Sequence, residues 1–167
     1  MEAPKTYTRP EFSAEEALEL LQSFWGVRAA KVKSLPSYDD QNFAVLLQED
    51  AKEPSYVLKL FHKEEKESTL ELQTLVMNRL AEVGVCAPRH VPLVDESAFK
   101  RIRGHLGRLL KWVPGNDWCS LDLQDKMSLM FAVGELNGHV DAALRETRSE
   151  GGAEHREWVC VFMSVCV

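Results

Sequence analysis

The stretch Tyr56-Val57-Leu58-Lys59-Leu60-Phe61 places one lysine inside an otherwise apolar run. A short apolar run of this kind predicts a β-strand, in which Lys59 shares a face with Val57 and Phe61. The aliphatic stem of Lys59 would lie among apolar neighbours, and its ammonium would lie at the mouth of a cleft. An ammonium held in this way is suited to binding phosphate groups. The simpler alternative is an ordinary surface lysine.

The composition is that of a soluble globular protein. Hydrophobic residues make up 45% and charged residues 28% of 167 residues, a length that fits one domain or one lobe of a larger enzyme. The net charge of −6 argues against a nucleic-acid partner, because a phosphate-binding face needs clustered basic residues. The short basic run at residues 100–103 is interpreted as a hairpin turn.

Neither a thiol metal site nor a membrane segment is expected. The cysteines contain no C-x-x-C pair and have no histidines at zinc-site spacing; they are Cys86, Cys119, Cys160 and Cys166. Residues 1–10 have no apolar core typical of a signal peptide, and no stretch approaches the roughly 18 apolar residues that span a bilayer. We therefore expect a cytoplasmic protein without a membrane partner.

The first half of the chain predicts a helix followed by an antiparallel meander. Ser13 reads as a helix N-cap with a carboxylate at the third helical position, and Gly26 marks the end of that helix. Strands are predicted at residues 27–32 and 43–48, on either side of a polar loop at residues 35–42. The Lys59 strand completes the meander.

The second half predicts two further helices and two strands. Residues 69–83 form an amphipathic pattern that ends at Gly84, and strands are predicted at 91–94 and 107–113. A helix is predicted at residues 121–144, although the interior glycines Gly134 and Gly138 disfavour helical structure. The predicted buried faces are Leu72, Leu75, Val76 and Leu80 in the earlier helix, and Met127, Met130, Phe131, Val133 and Leu136 in the later one.

Glu71 is the predicted partner of Lys59. It lies on the helix that follows the lysine strand, at the edge of the predicted buried face, from which a carboxylate can reach inward. Glu67, one turn earlier, is the reserve candidate. The alternative is a solvated acidic helix start, which fits Glu64, Glu65 and Glu67 better than Glu71.

Two connecting segments are candidates for nucleotide contacts. The loop Ser37-Tyr38-Asp39-Asp40-Gln41-Asn42 lies between predicted strands, where it could cover phosphates. It contains no glycine, the residue that lets backbone amides approach phosphate closely. The alternative is a plain polar turn. The strand that ends at Pro114-Gly115 has the form of a hinge. The backbone of Lys111, Trp112 and Val113 could there bind a purine edge, although a generic strand-turn-helix connection has the same pattern.

The order of these motifs resembles the aminoglycoside phosphotransferase and choline-kinase-like family. The resemblance covers residues 12–145 and rests on the polar loop, the strand lysine, the helix glutamate, Gly84-Val85-Cys86-Ala87-Pro88 and Leu109-Leu110-Lys111-Trp112-Val113-Pro114-Gly115. The glycine-free loop matches members that transfer the γ-phosphate of GTP, with magnesium, to the hydroxyl of 5-hydroxy-L-lysine. The resemblance implies that Lys59 holds phosphates, that Glu71 orients it and that Ser37 to Asn42 cover the nucleotide.

The resemblance also implies an α+β fold. It consists of a protein-kinase-like small lobe, with an antiparallel sheet and a packed helix, followed by a hinge and the first helix of a large lobe. The corresponding divisions are an N-terminal extension at 1–11, the small lobe at 12–113, the hinge and start of the large lobe at 114–145, and an atypical tail at 146–167. That tail reads either as an alternative terminus or as a final edge strand.

The sequence departs from the family at the catalytic loop. It contains neither a His-Gly-Asp motif with a following Asn nor the later metal-binding Asp motif, and His139-Val140-Asp141 falls in a predicted helix. Phosphoryl transfer relies on a positioned base and on carboxylate-bound Mg²⁺. We therefore expect a truncated, catalytically impaired form. The alternatives are a non-catalytic regulatory or interaction module and a chain that binds nucleotide without using it.

Overall fold

A computed structural model describes residues 8–115, the single positions 122, 124, 127, 129 and 130, and residues 134–143. Several predictions therefore lie outside the described residues: the first seven residues, Cys119, Cys160, Cys166, Phe131, Val133 and the tail at 146–167. The described residues fall into two compact units. The first contains residues 8–71 and Arg89–Trp112, and the second contains Leu72–Pro88 with the described residues from 113 onward.

The first helix, α1, spans Ala14–Trp25 and forms for local reasons. The Ser13 hydroxyl accepts a hydrogen bond from the Glu16 amide at 3.1 Å, and the Glu16 carboxylate accepts one from the Ser13 amide at 2.7 Å. This reciprocal capping box satisfies two amides that the first turn would leave without partners. Gly26 ends the helix at φ 66°, a left-handed conformation that suits glycine. Both predicted helix boundaries are confirmed.

A six-stranded antiparallel sheet forms the rest of the first unit. Its strand order is β1-β2-β3-β6-β4, and β5 also pairs with β6. The strands are β1 Lys31–Leu35, β2 Gln41–Leu46, β3 Tyr56–Leu60, β4 His90–Val91, β5 Lys100–Ile102 and β6 His105–Lys111. The predicted mixed fold with an antiparallel sheet is confirmed.

Several strand boundaries differ from the predictions. The strand predicted at residues 27–32 begins only at Lys31, because the paired segment is Lys31–Leu35 against residues 42–46. The loop between β1 and β2 consequently contains residues 36–40 alone. The strand predicted at 91–94 is the short β4, since the chain turns there: the Leu93 amide donates to the Ser97 carbonyl at 2.9 Å.

The basic run at residues 100–103 lies in a hairpin, as predicted. It forms β5 and half of a two-residue turn to β6, in which Arg103 and Gly104 have φ values of 51° and 87°. Two consecutive positive φ values are typical of a type I′ turn, whose twist matches that of the flanking strands. The turn explains why β6 begins at His105 instead of at the predicted residue 107.

The two faces of the sheet carry different apolar clusters. Leu58 on β3 and Leu109 on β6 face each other in register and belong to the main core, which includes α1 through Ala17, Leu21 and Trp25. A smaller cluster contains Phe61, Leu70 and Leu106, with Phe99 packed against it. Because side chains alternate along a strand, Lys59 points away from the Leu58 face and shares the face of the smaller cluster.

The second helix, α2, spans Glu67–Glu82 and begins two residues earlier than predicted. Within the second unit, Val76 and Leu80 pack against Val140 and Ala143 from the helical residues 134–143. The Arg79 Nε donates to the Ala143 carbonyl at 3.3 Å. At the end of α2, the Val85 amide donates to the Leu80 carbonyl at 2.9 Å, and Gly84 takes φ 78°, as predicted for a C-terminal cap.

The predicted buried faces of both later helices are partly wrong. In α2, Val76 and Leu80 are buried as predicted, and Leu72 packs against them. Leu75 is instead 49% exposed, whereas Leu70 and Met77 are buried. In the later helical segment, exposed apolar residues occupy the predicted face at Met127, Met130 and Leu136. The residues buried there are Val140 and Ala143, one to two turns further along.

Candidate functional site

Lys59 is a buried cation at the centre of the sheet. Its residue exposure is 4%, and its ammonium lies 3.0 Å from the Asp40 Oδ2 and 5.2 Å from the centroid of the Phe61 ring. The alternative of an ordinary surface lysine is therefore excluded. A charge removed from water in this way must be compensated by an opposite charge, which Asp40 supplies.

Asp40 is fixed at the end of the loop between β1 and β2. Its second carboxylate oxygen accepts a hydrogen bond from the His62 amide at 3.2 Å, and its carbonyl accepts one from the Ser37 hydroxyl. The carboxylate therefore bridges Lys59 and the chain just after β3. Asp40 was predicted to cover a nucleotide, and the structure gives it a further role as the ionic partner of the lysine.

A row of three polar side chains crosses the sheet at Lys59. The strand register places Asn42 of β2 and Arg108 of β6 directly opposite Lys59 on either side. Asn42 and Arg108 are each 1% exposed. Since residues opposite each other in an antiparallel pair point to the same face, these side chains are neighbours on the Lys59 face.

Two members of this row carry buried polar atoms that are unsatisfied. Among the described residues, the Asn42 Oδ1 and the Arg108 Nε, Nη1 and Nη2 have no hydrogen-bond partner. The Arg108 guanidinium carbon lies 5.2 Å from the centroid of the Phe61 ring. Burial lowers the pKa of Arg108 to about 10, while the charges of Asp40 and Glu65 partly oppose this change.

The sequence interpretation missed Arg108. An arginine in a strand usually reads as a solvent-facing residue, and the register that pairs it with Lys59 is set by strands distant in the sequence. A local signal was nevertheless present. Arg108 stands between Leu106 and Leu110 on one face of β6, in a strand whose first six residues are all buried. An arginine among apolar residues on both faces of a strand indicates a buried charge.

The predicted glutamate partner of Lys59 lies at an exposed position of α2. Glu71 is exposed, because the buried residues of α2 around it are Leu70 and Gln73. The ion pair described for Lys59 is the one with Asp40. Glu67, the reserve candidate, pairs instead with Arg101, with Oε1 2.9 Å from Nη2. The orienting role of Glu71 stays a prediction.

The other residues of this loop differ in their exposure and in their hydrogen bonds. Tyr38 is 96% exposed, and Asp39 is exposed beside it. The Gln41 amide is engaged with the backbone of Phe12, accepting from its N–H and donating to its carbonyl at 2.9 Å each. Gln41 thus tethers the segment before α1 to the sheet, and Tyr38 and Asp39 are the loop side chains most open to a ligand.

The hinge residues have amides that are already engaged. The Lys111 amide donates to the Arg89 carbonyl at 2.8 Å, and the Trp112 amide donates to the Ser55 carbonyl at 3.0 Å. A purine edge would therefore have to use the Val113 backbone or carbonyl oxygens along this segment. The contact itself stays a prediction.

The described residues contain neither an evident base for phosphoryl transfer nor a metal-binding cluster. His139 is exposed in a helix, as predicted for the sequence His139-Val140-Asp141. No group of three or more His, Cys, Asp or Glu side chains in the described ranges is placed to hold a metal ion. In the same ranges, the chain has no helix of the length and apolarity that a membrane crossing requires. The site therefore contains positively charged side chains, Lys59 and Arg108, which suit an anionic ligand.

The chain is similar to hydroxylysine kinases. It is 29% identical to the enzyme from Xenopus laevis and 28% identical to that from Mus musculus, over 152 residues in each case. The matches cover 83% of this chain and 40% of each relative, so the chain spans about 40% of their length, a share that fits the N-terminal part. No protein-family profile matches the chain. The resemblance inferred from the sequence motifs is confirmed.

Solved structures with similar folds are small-molecule kinases. A spectinomycin phosphotransferase in complex with ADP and spectinomycin superposes with a TM-score of 0.53 at 12% identity, covering 68% of this chain and 33% of that one. An amicoumacin kinase in complex with AMP-PNP, Ca²⁺ and its ligand Ami gives 0.52 at 16% identity, with coverages of 68% and 34%. The fold therefore matches part of a kinase-like phosphotransferase.

Proposed function

We propose that this chain carries the nucleotide-binding part of a hydroxylysine-kinase-like phosphotransferase. The observation that carries the proposal is the buried ammonium of Lys59, on the third strand of an antiparallel sheet in a chain similar to hydroxylysine kinases. A cation fixed by a carboxylate and by apolar neighbours is oriented before a ligand arrives, so less entropy is lost when phosphate binds. Lys59 would bind the α- and β-phosphates of the nucleotide.

The full reaction of the proposed type is transfer of the GTP γ-phosphate to the hydroxyl of 5-hydroxy-L-lysine in the cytoplasm. Magnesium, when bound, would offset charge on the phosphates. The described residues do not fit a complete metal site, so no step is assigned to the metal. In this chain, Tyr38 and Asp39 would flank the nucleotide.

We further propose that these 167 residues bind nucleotide without transferring phosphate at an enzyme-like rate. The acceptor hydroxyl must give up its proton as the phosphoryl group arrives, and a positioned carboxylate normally accepts it. The sequence contains no His-Gly-Asp loop to supply this group. His139 is not a substitute, since it lies exposed within a helix.

Binding can be tested by calorimetry and by thermal unfolding with GTP. Ligand at about 100 times its Kd raises the free energy of unfolding by about 2.7 kcal/mol, which is readily detected. Lys59→Met should abolish this increase. Lys33→Met removes an exposed lysine from β1 of the same sheet and serves as the matched control. Equal GTP binding by wild type and Lys59→Met would contradict the proposal.

Transfer can be tested by incubating the purified chain with GTP, magnesium and 5-hydroxy-L-lysine. We expect nucleotide binding without phosphorylated product. Product formed at an enzyme-like rate would show that the chain has a catalytic group other than those considered, and it would overturn the proposed impairment while leaving the binding proposal intact.

A second candidate function is a non-catalytic interaction module. It is favoured by the exposed apolar side chains Met127, Leu129 and Met130, which lie close together in the sequence. Such residues are the kind that a partner protein covers. Mixing the chain with a purified hydroxylysine kinase should then give a complex in size-exclusion chromatography that Met130→Glu disrupts. Separate elution at micromolar concentrations would count against this candidate.

A further inference from the structure

Arg108 carries a charge that the described structure does not compensate by hydrogen bonding. All three of its guanidinium nitrogens are buried and lack hydrogen-bond partners among the described residues. A guanidinium has five N–H donors, and burying them without acceptors is strongly unfavourable. The contact with the Phe61 ring offsets only part of that cost. The guanidinium therefore has donors available for an acceptor that comes within reach.

The candidate acceptor is Asp40, whose charge acts on Arg108 and which pairs with the neighbouring cation. Lys59 and Arg108 are directly opposite each other on β3 and β6, and the Asp40 carboxylate lies 3.0 Å from the Lys59 ammonium. The negative charges of Asp40 and Glu65 both act on Arg108. Lys59 and Arg108 therefore both lie in the electric field of the Asp40 carboxylate. The ion pair that the structure describes is the one between Asp40 and Lys59.

A phosphate that binds Lys59 would meet this carboxylate. The Asp40 Oδ2 lies 3.0 Å from the ammonium, so a phosphate oxygen bound to the same ammonium would lie close to the carboxylate, and like charges at short distance repel. The carboxylate must then either remain beside the phosphate or move to another cation. Asp40 ends the short loop between β1 and β2, so a small displacement of its side chain does not require any strand to move.

We propose that Arg108 is a positioning residue that takes over the Asp40 carboxylate when phosphate oxygens bind the Lys59 ammonium. The inference rests on the proposed nucleotide-binding function of Lys59. Asp40 exchanges one charged hydrogen-bond partner for another, and no covalent bond changes. The exchange releases Lys59 from its ion pair with Asp40 and gives the buried guanidinium an acceptor.

Direct binding of phosphate by Arg108 is the competing explanation, and burial disfavours it. Its nitrogens are buried, which leaves a ligand almost no surface through which to reach them. Lys59, in contrast, is paired with a carboxylate that is itself partly exposed, with a side-chain exposure of 19%. A ligand would thus arrive from the Asp40 side.

The exchange can be tested without any nucleotide by a double-mutant cycle in thermal unfolding. In the wild type, Arg108→Met should leave Tm unchanged or raise it, because it removes a charge without a hydrogen-bonded partner. In Lys59→Met, the Asp40 carboxylate should pair with Arg108. Adding Arg108→Met to that background should then lower Tm by roughly 5 °C or more, since it leaves the carboxylate without a cation.

Arg101→Met provides the control for this cycle. Arg101 is exposed and paired with Glu67, so its effect on Tm should be the same with Lys59 or with Met at position 59. Equal effects of Arg108→Met in the two backgrounds would overturn the proposed exchange. Equal, additive effects are expected if Arg108 has only a structural role.

A second cycle uses GTP as the probe and measures Kd by calorimetry. Arg108→Met should weaken GTP binding by about tenfold or more, because Asp40 then stays beside the phosphate. Asp40→Asn should remove most of this loss, so that the double variant binds like Asp40→Asn alone. An undiminished loss in the double variant would mean that Arg108 acts on phosphate directly and would overturn the exchange.

The two cycles separate this inference from the proposed function. If the wild type binds neither GTP nor inorganic triphosphate, the nucleotide-binding function fails. The unfolding cycle still decides whether Arg108 can replace Lys59 as the partner of Asp40.

Discussion

Lys59 and Arg108 occupy directly opposite positions on β3 and β6, so the sheet holds two buried cations side by side on one face. Of these two, it is the Lys59 ammonium that lies within ion-pair distance of the Asp40 carboxylate, at 3.0 Å. Two like charges placed next to each other in a medium of low polarity repel unless a counter-charge lies close to both. Asp40 therefore contributes to the stability of the sheet as well as to the site.

Asp40→Asn should destabilise the protein by about 1–3 kcal/mol. The asparagine can still accept a hydrogen bond from the His62 amide, but it no longer supplies the negative charge that Lys59 needs in its buried position. Urea unfolding followed by circular dichroism measures the change. Asp39→Asn, at the exposed neighbouring position, should leave the midpoint unchanged. Equal effects of the two variants would contradict the assigned role of Asp40.

Gln41→Leu should lower stability without weakening GTP binding. The Gln41 side chain makes both of its described hydrogen bonds to the Phe12 backbone, so its loss releases the segment before α1 at a cost of about 1–2 kcal/mol. Hydrogen exchange of the Phe12 amide should accelerate. A loss of GTP affinity at unchanged stability would instead support the original prediction that Gln41 contacts the nucleotide.

Gly107→Ala should destabilise the sheet by about 1–3 kcal/mol. A Cβ at this position would lie 3.0 Å from the Leu60 Cδ2 and 3.2 Å from the Ile102 Cδ1, and both side chains belong to the main core. Overpacked cores respond with strained rotamers. Chemical denaturation measures the loss.

Gly138→Ala is the control for Gly107→Ala, because position 138 has room for an added Cβ. A Cβ at position 138 would meet no described heavy atom within 4 Å in this exposed helical segment, so alanine should stabilise the helix by up to about 1 kcal/mol. Opposite signs for the two glycine variants are the expected result. A neutral Gly107→Ala would show that Leu60 and Ile102 can move apart without cost.

Glu16 should contribute stability that disappears in acid. The hydrogen bond from the Ser13 backbone lowers the pKa of Glu16 below its ordinary value of 4.5, with a smaller contribution from Arg103. A carboxyl group with a lowered pKa in the folded state stabilises the fold above the ordinary pKa and loses this contribution as pH falls through the lowered value. The loss therefore lies below pH 4.5.

Glu16→Gln tests this prediction because glutamine retains the capping hydrogen bond but cannot titrate. The Tm difference between wild type and variant should be present at about pH 6 and should shrink as the pH falls below 4.5. Nuclear magnetic resonance titration of Glu16 should give a pKa below 4.5. A Tm difference that stays constant with pH would contradict the assignment.

The features that the sequence predicted well are those that depend on neighbouring residues. The capping box of Ser13 and Glu16 requires residues three apart, and the cap at Gly84 requires only the end of one helix. The lysine strand was equally clear because its apolar run is interrupted by one charge. In each case, residues close together in the sequence determine the local structure.

The features that were missed depend on register between distant segments. The strand predicted at residues 27–32 overlaps the true β1 only at Lys31 and Val32, because pairing with β2 decides where the strand lies. The same pairing turned Gln41 and Asn42 from loop residues into strand residues. Arg108 could be recognised as part of the site only once β6 was known to lie beside β3.

The strand order has a consequence for how this protein behaves at high concentration. One margin of the sheet is β1, whose residues Lys31 and Lys33 bring repelling charges to any second strand that approaches. On the other side, β4 has only two residues and β5 three, so both offer few free backbone groups. Both margins thus discourage the joining of sheets from separate molecules, which protects a fold with so many buried apolar strands from ordered aggregation.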